Sequence, residues 1–340
     1  MEPLILLITA VLAIGAGLAV RVVARRLAGP GWASPPDQTV RSARNGLVRI
    51  AYQSWGAGPP LVLIGGLGHG RWSWEPVIGE LARDFQVVAM DNRGIGASDA
   101  PMGPYFTRLL AADVLAVMDH AGIRRASLVG VSLGGMIAQQ VANDRPDRVD
   151  RLVLVSTIPG GALTTPMPVD GVAGLSELPL LRDEAARAER GVRLALAPAT
   201  VRRRPRLTRR LATARAGHPV RPGAWVAQAA AGMLFDLAGG QRRLRQPTLI
   251  VQGTEDVVVH PDNARTLAGL IPGAELVWFE GAGHLPFWEQ PRRFTRLLRR
   301  FLLTERDDAG NSLEARQAHR LRFPTGRHVH KERDQAQTRR

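Results

Sequence analysis

The chain of 340 residues contains no cysteine. That excludes a disulfide frame, a thiolate metal site and a thiol nucleophile, and it fits a reducing compartment. No Gly-Lys-Ser/Thr and no G-x-G-x-x-G opening a helix is present, so the signatures of phosphate and dinucleotide binding are missing. His319, His328 and His330 lack the carboxylate or cysteine framework of a metal site, and neither a metal nor a cofactor is expected. Acidic residues are in deficit, 30 against 45 basic ones, which leaves a net charge of +15 carried almost entirely by arginine. Such a balance invites a nucleic-acid reading. The cations bunch in two later segments without a recognisable nucleic-acid-binding motif, which argues against that partner.

Hydrophobic residues make up 45% of the chain, enough for a substantial core. Eighteen residues from Pro3 to Val20 carry no charge and are followed by Arg21, Arg25 and Arg26. At helical rise they span roughly 27 Å, about the hydrocarbon thickness of a bilayer. Because the chain starts Met-Glu-Pro, it lacks the basic n-region of a cleaved signal peptide. An uncleaved transmembrane anchor is therefore expected over residues 3–24. The positive flank lies after the span, which places the globular part in the cytoplasm. A Gly-, Pro- and Ser-rich linker follows over 25–38, then a globular domain over 39–304 and a disordered basic tail over 305–340.

Within 39–304 short apolar runs alternate with helical patterns, the mark of an α/β fold: a mostly parallel β-sheet with helices on both faces. Asn45-Gly46 predicts a type I′ hairpin between two strands. Leu61 to Ile64 reads as a buried strand and ends in the loop Gly65-Gly66-Leu67-Gly68-His69-Gly70. Backbone N–H groups of such a loop can hold a developing oxyanion. Asp91 and Arg93 are expected to tie down the loop after the next strand, and Thr107 to cap a helix running to His120. From 157 to 245 the alternation breaks, and a mostly helical cap insertion is expected. Between Arg182 and Arg210 it carries ten arginines against three carboxylates, an excess of seven. A solvated helical face accounts for them, with attraction to anionic lipid as the alternative.

Three residues carry the chemistry. Strand, sharp turn and helix meet at Gly130-Val131-Ser132-Leu133-Gly134, a G-x-S-x-G nucleophile elbow that forces its serine into a strained conformation. Asp256 and His284 each follow a later predicted strand, so Ser132, Asp256 and His284 meet at the carboxyl edge of one sheet. A serine hydroxyl needs a base, and the base needs a carboxylate to fix its tautomer. Glu255 is the rival for the acid.

From about Val48 to Leu303 the chain resembles the α/β-hydrolase superfamily with a serine nucleophile, in the branch with a helical cap. The resemblance rests on the Leu61–Ile64 strand with its glycine loop, Asp91-Asn92-Arg93-Gly94-Ile95-Gly96-Ala97-Ser98, the elbow, Gly253-Thr254-Glu255-Asp256, and Gly283-His284 with Glu289-Gln290-Pro291. It implies Ser132 as nucleophile, His284 as base and then acid, Asp256 as orienting acid, and the N–H groups of Leu67 and Leu133 as oxyanion donors. One departure stands out. Many relatives carry His-Gly where this chain has Gly65-Gly66, so the imidazole that usually braces the oxyanion loop is missing. The implied activity is hydrolysis of a carboxylic ester or related acyl compound, with a small acyl molecule as substrate. Carbon–carbon bond hydrolysis and cofactor-free haloperoxidase or perhydrolase chemistry belong to the same branch, and a non-catalytic, membrane-tethered binding protein would use the same fold.

Overall fold

The computed structural model describes residues 39–178, 181, 183–218 and 220–304. The chain divides into two compact units after Arg299. The fold below is that of the first; of the second only 300–304 are described. Among the described residues no helix is long and apolar enough to cross a membrane. The anchor expected at 3–24, the linker at 25–38 and the tail at 305–340 lie outside the described residues.

The chain begins with strands β1 (Arg41–Asn45), β2 (Val48–Trp55) and β3 (Pro60–Ile64), helix α1 (Glu75–Leu81), β4 (Gln86–Met90) and α2 (Thr107–His120). It continues with β5 (Ala126–Val131), α3 (Leu133–Asp144) and β6 (Val149–Val155). Five helices follow: α4 (Val169–Glu177), α5 (Glu184–Ala195), α6 (Pro198–Arg203), α7 (Pro205–Ala216) and α8 (Pro222–Met233). The last elements are β7 (Thr248–Gly253), α9 (Asp262–Leu270), β8 (Glu275–Phe279), α10 (Pro286–Glu289) and α11 (Pro291–Leu303).

The eight strands form one sheet in the order β1-β2-β4-β3-β5-β6-β7-β8. Strands β3 to β8 are mutually parallel, and only β1 and β2 run antiparallel to their neighbours. Parallel strands bury both faces, which is why Leu61–Ile64 and Leu152–Val155 read as unbroken apolar runs. Val62, Ile64, Leu128, Leu152 and Ile250 pack into one cluster with Val114, Val117, Ile137 and Leu267. Their neighbours Leu61, Leu63, Val129, Val153 and Val251 are equally buried and, by the two-residue period, point to the other face. Trp74, Phe287 and Phe294 form a chain of ring contacts, Trp74 stacked on Phe287 at 4.5 Å and Phe287 against Phe294 at 5.6 Å. Each such fully buried side chain contributes about 1.5–3 kcal/mol.

Two local expectations change. The hairpin turn is centred on Gly46-Leu47, one residue later than expected, with Asn45 paired to Val48. Gly46 alone has positive φ (60°), as a type II′ turn requires. Asn45 stays in the strand because its Nδ2 donates to Asp113 Oδ1 at 2.8 Å. Thr107 is the first helical residue, not the cap; its hydroxyl donates to Gln140 Oε1 at 2.9 Å. Helix α4 lies within the expected helical cap although Gly171 and Gly174 lower its propensity. Both glycines lie in close packing, against the Val257 carbonyl and the Leu194 side chain respectively.

Candidate active site

Strand β5 lies at the centre of the sheet, and the turn after it brings backbone groups together too closely for side chains. A Cβ at Gly130 would stand 2.1 Å from the Gly134 carbonyl oxygen, and one at Gly134 would stand 2.1 Å from that of Ile64. Only glycine fits at either position. Ser132 is thereby held at φ 54°, ψ −120°, a conformation that costs about 1–3 kcal/mol and persists because the surroundings over-determine it. Its N–H donates to Val155 (2.9 Å), and its carbonyl accepts from the Thr157 hydroxyl (2.7 Å).

Strands β7 and β8 deliver the other two residues. Asp256 Oδ2 accepts from His284 Nδ1 at 2.9 Å, and both side chains are buried. Asp256 also accepts from Gln252 Nε2 (2.9 Å) and from the N–H groups of Val258 (2.8 Å) and Val259 (2.9 Å). Glu255 is exposed. The carboxylate that reaches the imidazole is therefore Asp256, and because Oδ2 can only accept, Nδ1 carries the proton and Nε2 is left as a base. Ser132 and His284 line one cavity of about 80 Å³ together with Gly66, Leu67 and His69.

The glycine loop after β3 is pinned from several sides. The Gly66 carbonyl accepts from His69 N–H at 3.0 Å. In a trans peptide this turns the Leu67 N–H the opposite way. Gly68 N–H donates to Gln228 Oε1 (3.1 Å), and Gln228 Nε2 donates on to the Arg93 carbonyl (2.9 Å). Asn92 Nδ2 holds the Gly65 carbonyl at 3.0 Å. An imidazole braces the loop after all: His69 Nδ1 donates to the Leu67 carbonyl at 3.0 Å. Burial, and secondarily the charge of Arg215, push the His69 pKa down to about 3, so this ring is neutral at physiological pH. Leu133 begins helix α3, and the first N–H groups of a helix have no partner within it.

As expected, Asp91 and Arg93 tie their loop down. Asp91 accepts from the N–H groups of Arg71 (2.9 Å) and Ala97 (3.0 Å) and pairs with the Arg71 guanidinium, while Arg93 pairs with buried Asp113. Two residues of the site carried no role in the sequence reading. Gln228 sits on an alanine-rich cap helix whose polar residues give no outward sign of which loop they touch. Glu289 is buried, accepts from Gly283 N–H at 2.6 Å and from Ala197 N–H, and so joins the His284 loop to the start of α6. Burial raises its pKa, opposed by those hydrogen bonds and one from Thr200.

The matching family model is described as alpha/beta hydrolase fold and covers residues 59–291. An uncharacterised protein of Mycobacterium tuberculosis is 33% identical over 293 residues, which is 80% of this chain and 82% of that protein. Among solved structures, Est816, titled an N-acyl homoserine lactone degrading enzyme, is similar at 30% identity and TM-score 0.66, covering 76% of this chain and 99% of that one. The esterase RhEst1 from Rhodococcus sp. ECU1013 is similar at 28% identity and TM-score 0.67, covering 77% and 98%. The match spans more than half of the chain, and the chain belongs to the alpha/beta hydrolase fold family.

Proposed function

We propose that the chain is a serine hydrolase that cleaves a carboxylic ester or related acyl bond through an acyl-enzyme intermediate. The observation that carries this reading is one cavity wall bearing both a strained Ser132 and a His284 whose other nitrogen is bonded to buried Asp256. In the first step Ser132 Oγ attacks the acyl carbon while His284 Nε2 takes its proton, and the imidazolium is stabilised by Asp256. The N–H groups of Leu67 and Leu133 hold the oxyanion. Collapse of the tetrahedral adduct expels the alkoxide, which receives the proton from His284. A water, deprotonated by the same nitrogen, then releases the acid and restores Ser132.

The test is labelling with a fluorophosphonate probe. We expect a single adduct, mapped by mass spectrometry to Ser132, competed by short p-nitrophenyl esters and absent from Ser132→Ala. Persistent labelling of that variant would remove Ser132 from its role. No labelling of the native chain would favour a non-catalytic binding protein. We further propose that the apolar run Pro3–Val20 tethers this domain to the cytoplasmic side of a membrane. The chain should then sediment with membranes and resist protease added to intact cells. Recovery in the unsedimented fraction sinks the tether, and digestion without lysis sinks the orientation.

A further inference from the structure

We propose that the substrate carries a carboxylate remote from the scissile bond and that Arg215 of the cap is its counter-ion. The inference rests on the reading of Ser132 given above and names the class of acyl compound it would take.

Arg215 lies in the last turn of α7, just beyond the arginine run that stands out in the sequence. It lines the same cavity as Ser132 and His284, together with apolar residues that include Leu175, Leu178 and Leu194. No carboxylate lines that cavity among the described residues. Four other cap arginines have partners within the fold, Arg190 in Glu177, Arg193 in Glu189, Arg204 in the Glu289 carbonyl and Arg210 in Glu75, and Arg202, Arg203, Arg206 and Arg209 do not line the cavity. Arg215 has no ion pair or hydrogen bond among the described residues. Its guanidinium lies over Gly191 of α5, where a Cβ would stand 3.5 Å from Cζ, so one flat face rests against a helix position without a side chain.

A guanidinium stays protonated even when partly desolvated, and burial pulls the Arg215 pKa below the ordinary arginine value with no carboxylate opposing it. Keeping an uncompensated cation in an apolar wall is unfavourable for the empty protein. Its planar fork of N–H donors matches a carboxylate in two parallel hydrogen bonds, and water exclusion strengthens that contact. Neutral His69 neither repels such an anion nor needs one, and the positive potential that suppresses its protonation comes in part from Arg215. The leucines suit the methylenes between the two ends of the acyl chain.

The experiment compares the full chain on half methyl esters of succinic, glutaric and adipic acids with the corresponding dimethyl esters, followed by proton release. The half ester of best-fitting length should lead in kcat/KM by about 10- to 100-fold, as one charge-assisted contact supplies. Arg215→Met should abolish that lead and Arg215→Lys should keep part of it. Arg215→Met should also melt no lower than the native chain, since an unpaired cation leaves the wall; Arg215→Gln replaces it should it not fold. Where no methyl ester turns over, protection against fluorophosphonate by the free dicarboxylates gives the same readout, expected for the native chain and lost in Arg215→Met. An unchanged half-ester ratio in Arg215→Met, or neither preference nor protection with any chain length, overturns the inference. Absence of labelling at Ser132 in the native chain instead overturns the hydrolase reading itself.

Discussion

His284→Ala lowers kcat on short esters by roughly 10⁶, and the double variant Ser132→Ala/His284→Ala is no slower than either single one. The reason is that the two side chains act in one step. Without Nε2 nothing takes the proton from Ser132 Oγ, and without Oγ the base has nothing to deprotonate, so the second deletion removes an interaction already lost. The activity left over is what the oxyanion donors and binding provide. Both variants should keep the fold, because Ser132 is fixed through its backbone to Val155 and Thr157, and the His284 loop through its N–H to the Ala195 carbonyl at 2.8 Å. Rates of the three variants measured on one ester, with circular dichroism alongside, decide the matter. Losses that multiply in the double variant would show the two residues acting independently and would break up the proposed pair.

The elements that position these residues were legible because local and global requirements coincide in them. Strands buried on both faces need long apolar stretches, and Leu61–Ile64 or Leu249–Val251 can hardly be anything else. The elbow was legible because its close backbone approaches admit glycine alone. What the sequence hides is tertiary. The turn at Gly46-Leu47 shifted by one residue because Asn45 is claimed by Asp113, 68 positions away. Gln228 reaches back 160 positions to Gly68. Among many arginines, Arg215 is told from the rest only by the fold, which brings it to the cavity of Ser132 and His284 while Glu75, Glu177 and Glu189 pair with other cap arginines.

The same pinning explains how a cap can shape the site without supplying its chemistry. Gln228 holds the Gly65–Gly70 loop, and the end of α5 and start of α6 hold the His284 loop through Ala195 and Ala197. Cap sequence therefore sets both the lining of the cavity and the aim of the two loops that carry the proposed oxyanion donor Leu67 and the proposed base His284. Substitutions there are expected to change KM and kcat together, in keeping with residues that position others.

Asp256→Asn lowers kcat by roughly 10⁴ with the fold intact, whereas Glu255→Gln stays within about twofold of the native rate. The neighbours of Asp256 dictate this outcome. Oδ1 receives two fixed backbone N–H groups, from Val258 and Val259, so an asparagine must place its oxygen there and its NH2 toward His284. That NH2 makes Nδ1 an acceptor and drives the proton to Nε2, which then cannot take one from Ser132. Gln252, now donating to Oδ2, can turn its otherwise unpartnered buried Oε1 to the new amide, so the change of tautomer leaves the packing undisturbed. Nitrogen-15 spectra of the His284 ring should show the exchange of protonated nitrogens directly. Glu255 is exposed, its own N–H donates to the Ala282 carbonyl at 2.9 Å, and removing its charge leaves the Asp256–His284 hydrogen bond in place. A loss confined to Glu255→Gln would transfer the acid to that residue. A full loss in Asp256→Asn with the native tautomer retained would show that charge, and not orientation, is what the carboxylate supplies.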